Sequence, residues 1–93
     1  MNKSEFRKNA KNKIDRLFVK IEDLETKKNQ VSEDALEKYE ETIRNLKYKR
    51  ARLQQNYHAL EIVAEEQWVE TKKEFVNATE SINEGVKELV ALI

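Results

Sequence analysis

His58, the only histidine in the chain, is followed three and seven residues later by Glu61 and Glu65. On an unbroken helix those steps put an imidazole and two carboxylates on one face, a donor set suited to a divalent metal in a helical bundle. Carboxylate-bridged di-metal bundles use Glu-x-x-His twice, with further inward glutamates. Here the order is reversed, and a second histidine would have to come from a second chain. One reading is therefore a metal-dependent bundle enzyme assembled across a dimer. Tyr57 and Leu60 take the core-facing positions beside His58, so the plainer reading is an exposed or boundary histidine, with no metal or other cofactor expected. No Ser/His/Asp set, phosphate-cradling glycine loop or paired acids stand out elsewhere, and the chain is not expected to be an enzyme.

A second candidate is Lys47-Tyr48-Lys49-Arg50-Ala51-Arg52, four bases in six residues with an aromatic among them. Lys47, Lys49, Arg50 and Arg52 are candidate phosphate contacts, and a nucleic-acid-associated helical protein is the alternative they support. Against it, Glu37, Glu40 and Glu41 stand one or two turns upstream, where Glu-to-Lys spacing is ordinary helix support. Arg50 also falls on a seam position and can lay its stem along the core. Total charge decides between the two: 18 Lys and Arg balance 18 Asp and Glu, so long-range attraction to polyanions is absent. A second basic cluster comprises Lys3, Arg7, Lys8, Lys11, Lys13, Arg16 and Lys20, with Phe6, Ile14, Leu17, Phe18 and Ile21 among them. The first ten residues carry only Phe6 and Ala10 as apolar anchors after Met1, too few for firm membrane insertion, and a frayed, solvated helix start is expected there. Trp68, the single tryptophan, shares seam spacing with Thr71 and Phe75, which points to a core or oligomer contact.

The elements that carry these residues are helices. The 93 residues contain no proline, no cysteine and one glycine, while 39% are charged and 39% hydrophobic. Such a chain has little punctuation for loops, no disulfide and no thiolate zinc site. No apolar run resembles a signal peptide or a membrane span, so a cytoplasmic location and no membrane span are expected.

Ile14, Leu17, Ile21 and Leu24 follow the a/d spacing of a coiled coil. A second run is Leu36, Tyr39, Ile43, Leu46, Arg50, Leu53, Tyr57, Leu60 and Ala64. A third is Trp68, Thr71, Phe75, Ala78, Ile82, Gly85, Leu89 and Leu92. The register slips twice, near 32 and near 66. The first slip has turn chemistry: Asn29-Gln30 as a stop, then Ser32 as an N-cap followed by Glu33 and Asp34. The second has no Gly, Pro or Asn beside it. Gly85 and the weakly helical stretch 77–85 are expected to stay helical through packing of Phe75, Ile82 and Leu89.

Two all-α architectures fit. One is an elongated antiparallel coiled-coil hairpin, a helix over about 3–30 pairing with a long helix over about 33–91. The other is an up-down-up three-helix bundle, with a second break near 61–66. The missing breaker favours the hairpin. In it Trp68, Phe75, Ile82, Leu89 and Leu92 would be oligomer or core contacts covered by a second chain, so the single domain, 1–93, is expected to self-associate. Charge agrees with side-by-side segments: residues 1–31 carry nine bases and five acids, and residues 61–93 three bases and eight acids.

The segment Glu37-Lys38-Tyr39-Glu40-Glu41-Thr42-Ile43-Arg44-Asn45-Leu46-Lys47 resembles a group of small bacterial coiled-coil proteins. These read Lys-Tyr-Glu-Glu-x-Ile-x-x-Leu-x-x-Lys-Arg and then a Trp-x-x-Leu-Lys type of segment. The counterparts here are 38–50 and 68–75, and the likeness spans about 21–90. Some members are labelled stress-response proteins, so the resemblance implies a stress-associated bacterial role with no catalytic or ligand-binding residue. Many carry small, turn-prone residues before the Trp; Ile62-Val63-Ala64-Glu65-Glu66 stands there in this chain, which speaks against a turn. The expected function is a non-catalytic homo-oligomeric interaction protein whose partners are itself and, beyond that, other proteins.

Overall fold

The computed structural model describes residues 2–93. Three helices, α1 (Lys3–Thr26), α2 (Glu33–Ile62) and α3 (Trp68–Leu92), run up, down and up, and no strand occurs among the described residues. The all-α expectation holds. Of the two architectures the three-helix bundle is the one formed; the favoured single helix over 33–91 is not. The body measures 50 × 17 × 16 Å.

Each helix end has a local cause. Asn2 caps α1, its side-chain oxygen accepting the Glu5 N–H at 2.8 Å. Past Thr26 the chain tightens into a 3₁₀ turn, Lys28–Gln30, and then two residues, Val31 and Ser32, are extended. Ser32 occupies the N-cap of α2 without a side-chain cap hydrogen bond. Its carbonyl accepts from Ala35 N–H at 3.1 Å, and Glu33 and Asp34 supply the negative charge that a helix start favours.

The second turn shares an extended pair with the first and has none of the usual breakers. Val63 (φ −69°, ψ 142°) and Ala64 (φ −69°, ψ 155°) are extended, like Val31 (−89°, 139°) and Ser32 (−63°, 154°). Each pair is followed by two acids, Glu33-Asp34 in one case and Glu65-Glu66 in the other. The adjacent β-branched Ile62 and Val63 have low helix propensity, and the acids favour a new helix start just after them. A 3₁₀ turn, Glu65–Gln67, then leads into Trp68, with the Gln67 N–H bonded to Ala64 O at 3.0 Å. The gain that outweighs two lost helical residues is burial of the α3 seam against α1 and α2.

The core is the union of the three runs. Ala10, Ile14, Leu17, Ile21 and Leu24 from α1 meet Tyr39, Ile43, Leu46, Leu53 and Leu60 from α2 and Phe75, Ile82 and Leu89 from α3. Each fully covered Leu or Ile contributes roughly 1.5–3 kcal/mol of transfer free energy. Polar atoms inside are matched: Thr79 and Thr42 hydroxyls donate to the carbonyls of Phe75 and Lys38, and the buried Tyr39 hydroxyl donates to Leu24 O across the α1–α2 contact. Burial, and secondarily the Asp23 carboxylate, raise the Tyr39 phenol above its usual 10.0. Gly85 marks the closest approach of α3 to α2, since a Cβ there would lie 2.5 Å from Leu46 Cδ2. The stretch 77–85 is helical throughout, as its packing required.

Candidate functional site

The α3 residues expected to contact a second chain are covered by their own. Phe75, Ile82 and Leu89 are buried, and Trp68 and Leu92 pack half-buried against the core. They are core contacts, and the need for a partner chain over this seam disappears once the chain turns at 63–64.

Trp68 is closed off by a residue at the start of α1. The Phe6 ring stands edge-on to Trp68 at 5.6 Å and to Phe75 at 6.0 Å. The Lys3 ammonium lies 5.4 Å from the indole centroid, and its ion pair to Glu65 (3.8 Å) bridges to the second turn. The α1 start is therefore docked rather than frayed, and Ala10 is buried with it. Its signal was Phe6 falling one helical turn ahead of Ala10, in line with Ile14 and Leu17. An open apolar hollow of about 480 Å³ adjoins this cluster, lined by Phe6, Trp68, Val69 and Val76 with Lys72 and Lys73 at its rim.

The basic segment of α2 is divided between two flanks, as 100° per residue dictates. Lys47 pairs with Glu25, and Arg50 stacks over the Phe18 ring at 5.2 Å with Glu22 at 3.9 Å, so both face α1. Lys49 and Arg52 face α3, in a polar groove shared with Asn56, Glu74, Asn77 and Ser81. The four candidate phosphate contacts do not form one surface. The structure brings carboxylates to three of these sites, Glu25, Glu22 and Glu74.

His58 and its acids are also separated. The His58 side chain is 77% exposed, with Nδ1 3.9 Å from Glu61 Oε1. Glu65 lies beyond the extended pair 63–64 and turns to Lys3, which removes it from the face it would share with His58 on a continuous helix. No cluster of three or more His, Cys, Asp or Glu able to hold a metal occurs among the described residues, and no helix there is long and apolar enough to cross a membrane.

What the structure leaves open is the third side of α2, turned away from both α1 and α3. Ala51, Gln54, Gln55, His58, Ala59 and Ile62 line an open depression of about 560 Å³ on it. None carries a formal charge at neutral pH, with His58 neutral, on a chain in which 39% of residues are charged. Residues 53–60 are the longest uncharged run in the sequence. Ile62 is 83% exposed and Tyr48, one turn before the depression, 68%. The chain matches no protein-family model, and no curated protein or solved structure matches it significantly.

Proposed function

We propose that this chain is a non-catalytic, self-associating helical protein that acts by presenting a helix face to a partner. The observation that carries the reading is the uncharged outer side of α2 with Ile62 exposed at its end. Exposed apolar area of this kind, rimmed by charge, is the usual mark of a contact surface. The three helices already consume their own seams, so the available surface chemistry is binding chemistry. A stress-associated bacterial role enters the proposal through the sequence resemblance alone.

Light scattering after size exclusion tests self-association over a concentration series. The mean mass is expected to rise above the 11.1 kDa of one chain as concentration increases. A constant single-chain mass at the highest attainable concentration would refute the self-associating reading.

A further inference from the structure

The outward positions of α2 have a spacing that reads the same in both directions. Tyr48, Ala51, Gln55, Ala59 and Ile62 are separated by steps of three, four, four and three, symmetric about Gln55. All lie within α2, and all are exposed except Ala59, which is partly covered. We infer that this face is the interface of a two-fold symmetric dimer, in which α2 packs antiparallel on α2 of a second copy with Gln55 at the axis. The inference rests on the self-association proposed above and names the surface responsible.

Three features select a second copy as the occupant. First, an isologous contact requires every position to be matched by its own image. Antiparallel pairing about residue 55 sets Tyr48 against Ile62 of the other copy, Ala51 against Ala59 and Gln55 against itself. The two largest exposed apolar side chains of α2 then cover each other, and alanine meets alanine where the helix axes must come close. The central glutamine amide both donates and accepts, so two of them pair without an unsatisfied group.

Second, charge is arranged for this direction. Arg44 precedes the strip, and Glu65 and Glu66 follow it in the second turn; all three are exposed. Neither Arg44 nor Glu66 has an ion-pair partner among the described residues. Antiparallel packing brings the Arg44 end of one copy to the acidic turn of the other, whereas parallel packing would set like charges together. His58 and Gln54, on one flank of the strip, fall beside each other's images and add no like-charged pair while the imidazole is neutral.

Third, the size fits a weak dimer. The strip with the preceding turn, from Arg44 to Ile62, is about 27 Å long at 1.5 Å per residue. A helix pair of that length lies near the lower limit of specific interfaces, about 1,000 Å² in total, the size range of weak and transient association.

The test uses the full chain, which contains no cysteine. Gln55→Cys places a thiol on the proposed axis, and Val19→Cys places one on an exposed site of α1. Under mild oxidation, Gln55→Cys should form the disulfide-linked dimer at least ~10-fold faster, because only a residue near a two-fold axis meets its own image within disulfide reach. Ile62→Lys should weaken the equilibrium dimer in sedimentation by ~10-fold or more, since it places a charge in the contact, while the melting curve at concentrations too low for the dimer stays unchanged, because Ile62 is exposed in the single chain. Arg44→Glu should weaken it too, and Arg44→Glu combined with Glu66→Arg should restore it. A wild-type dimer that is indifferent to Ile62→Lys, with both cysteines linking at equal rates, would overturn this face and leave self-association standing. A wild-type monomer throughout would overturn both.

Discussion

Replacing Gly85 with alanine sets two effects of similar size against each other. A glycine inside a helix costs about 1 kcal/mol relative to alanine, so propensity alone makes Gly85→Ala stabilising. Packing opposes it. The added Cβ would sit 2.5 Å from Leu46 Cδ2 and 3.2 Å from Leu46 Cγ, whereas carbon atoms rest at about 3.5–4.0 Å. Rotation about the last bond of Leu46 moves Cδ2 but leaves Cγ where it is. The side chain is also 1% exposed, so it cannot swing into solvent. Either Leu46 changes rotamer inside a filled core or α2 and α3 separate, and overpacking of this kind costs about 1–3 kcal/mol. The expected net is destabilisation by about 1 kcal/mol, or about 4–8 °C in Tm for a domain of this size.

The reasoning is sharpest as a double-mutant cycle. Leu46→Ala removes the opposing carbons and should cost about 2–5 kcal/mol by itself. On that background Gly85→Ala meets open space, recovers its propensity and fills part of the cavity, so it should stabilise by about 1 kcal/mol. The coupling is then about 2 kcal/mol, well above the ~0.3–0.5 kcal/mol expected of independent sites. Urea unfolding followed by circular dichroism measures all four proteins, at one chain concentration so that self-association enters equally. Gly85→Ala that stabilises the wild type by the full propensity difference, or a cycle that adds, would refute the close α2–α3 contact as the reason for glycine at this position.

Ala64→Pro distinguishes the observed turn from a fused α2–α3 helix: φ −69° suits proline and Val63 is already extended, so the bundle should gain about 0.4–1 kcal/mol, whereas a continuous helix would lose about 3 kcal/mol. Melting temperature reads the sign directly. Tyr39→Phe removes the buried hydroxyl that reaches Leu24 O and should cost about 1 kcal/mol at neutral pH. Because the folded phenol titrates above 10.0 and the unfolded one at its ordinary value, wild-type stability present below that pH is lost as pH rises beyond it, and the gap between the two proteins should close. A gap constant from about pH 8 to about pH 11 would contradict the burial argument. Phe6→Ala should uncover Trp68 and cost about 2 kcal/mol, less than a fully buried Phe because the ring is only partly buried. A Trp68 emission that does not shift to the red would show that Phe6 does not cover it.

The seams were legible because a 3.5-residue period is a property of each helix alone. Leu17, Ile21 and Leu24 or Leu46, Leu53 and Leu60 declare their face without reference to what covers it. The second turn was not, because it was sought in Gly, Pro or Asn. The structure makes it from Val63 and Ala64 in extended backbone, with two acids ready to start the next helix. The same order of valine, small residue and two acids stands at 31–34, where Asn29 and Ser32 are the conventional turn residues. Reading the two four-residue segments against each other would have located the turn, since neither needs a positive φ. Phe6 was missed for a different reason. Its worth depends on Trp68 and Phe75 arriving from α3, a contact created by the second turn and invisible while 33–91 was one helix.

The same turn relocates the surface on which self-association can rest. With α2 and α3 fused, Phe75, Ile82 and Leu89 would be bare, and a second chain would be required over them. With the turn made, α1 and α3 lie on two flanks of α2, and those residues are satisfied within one chain. The basic residues of α2 follow the flanks, Lys47 and Arg50 toward α1, Lys49 and Arg52 toward α3, each side with its acids. Of α2 only the third side remains, and it is there that charge stops: the exposed Ala51, Gln55 and Ile62 have no reason to be uncharged from the standpoint of the monomer. A solvated face on this chain is built elsewhere from lysines and acids, as on α1 at Lys11 and Asp15. Uncharged residues at positions the fold leaves wholly or partly open, in an order symmetric about one glutamine, are therefore what an antiparallel copy of the same helix would require.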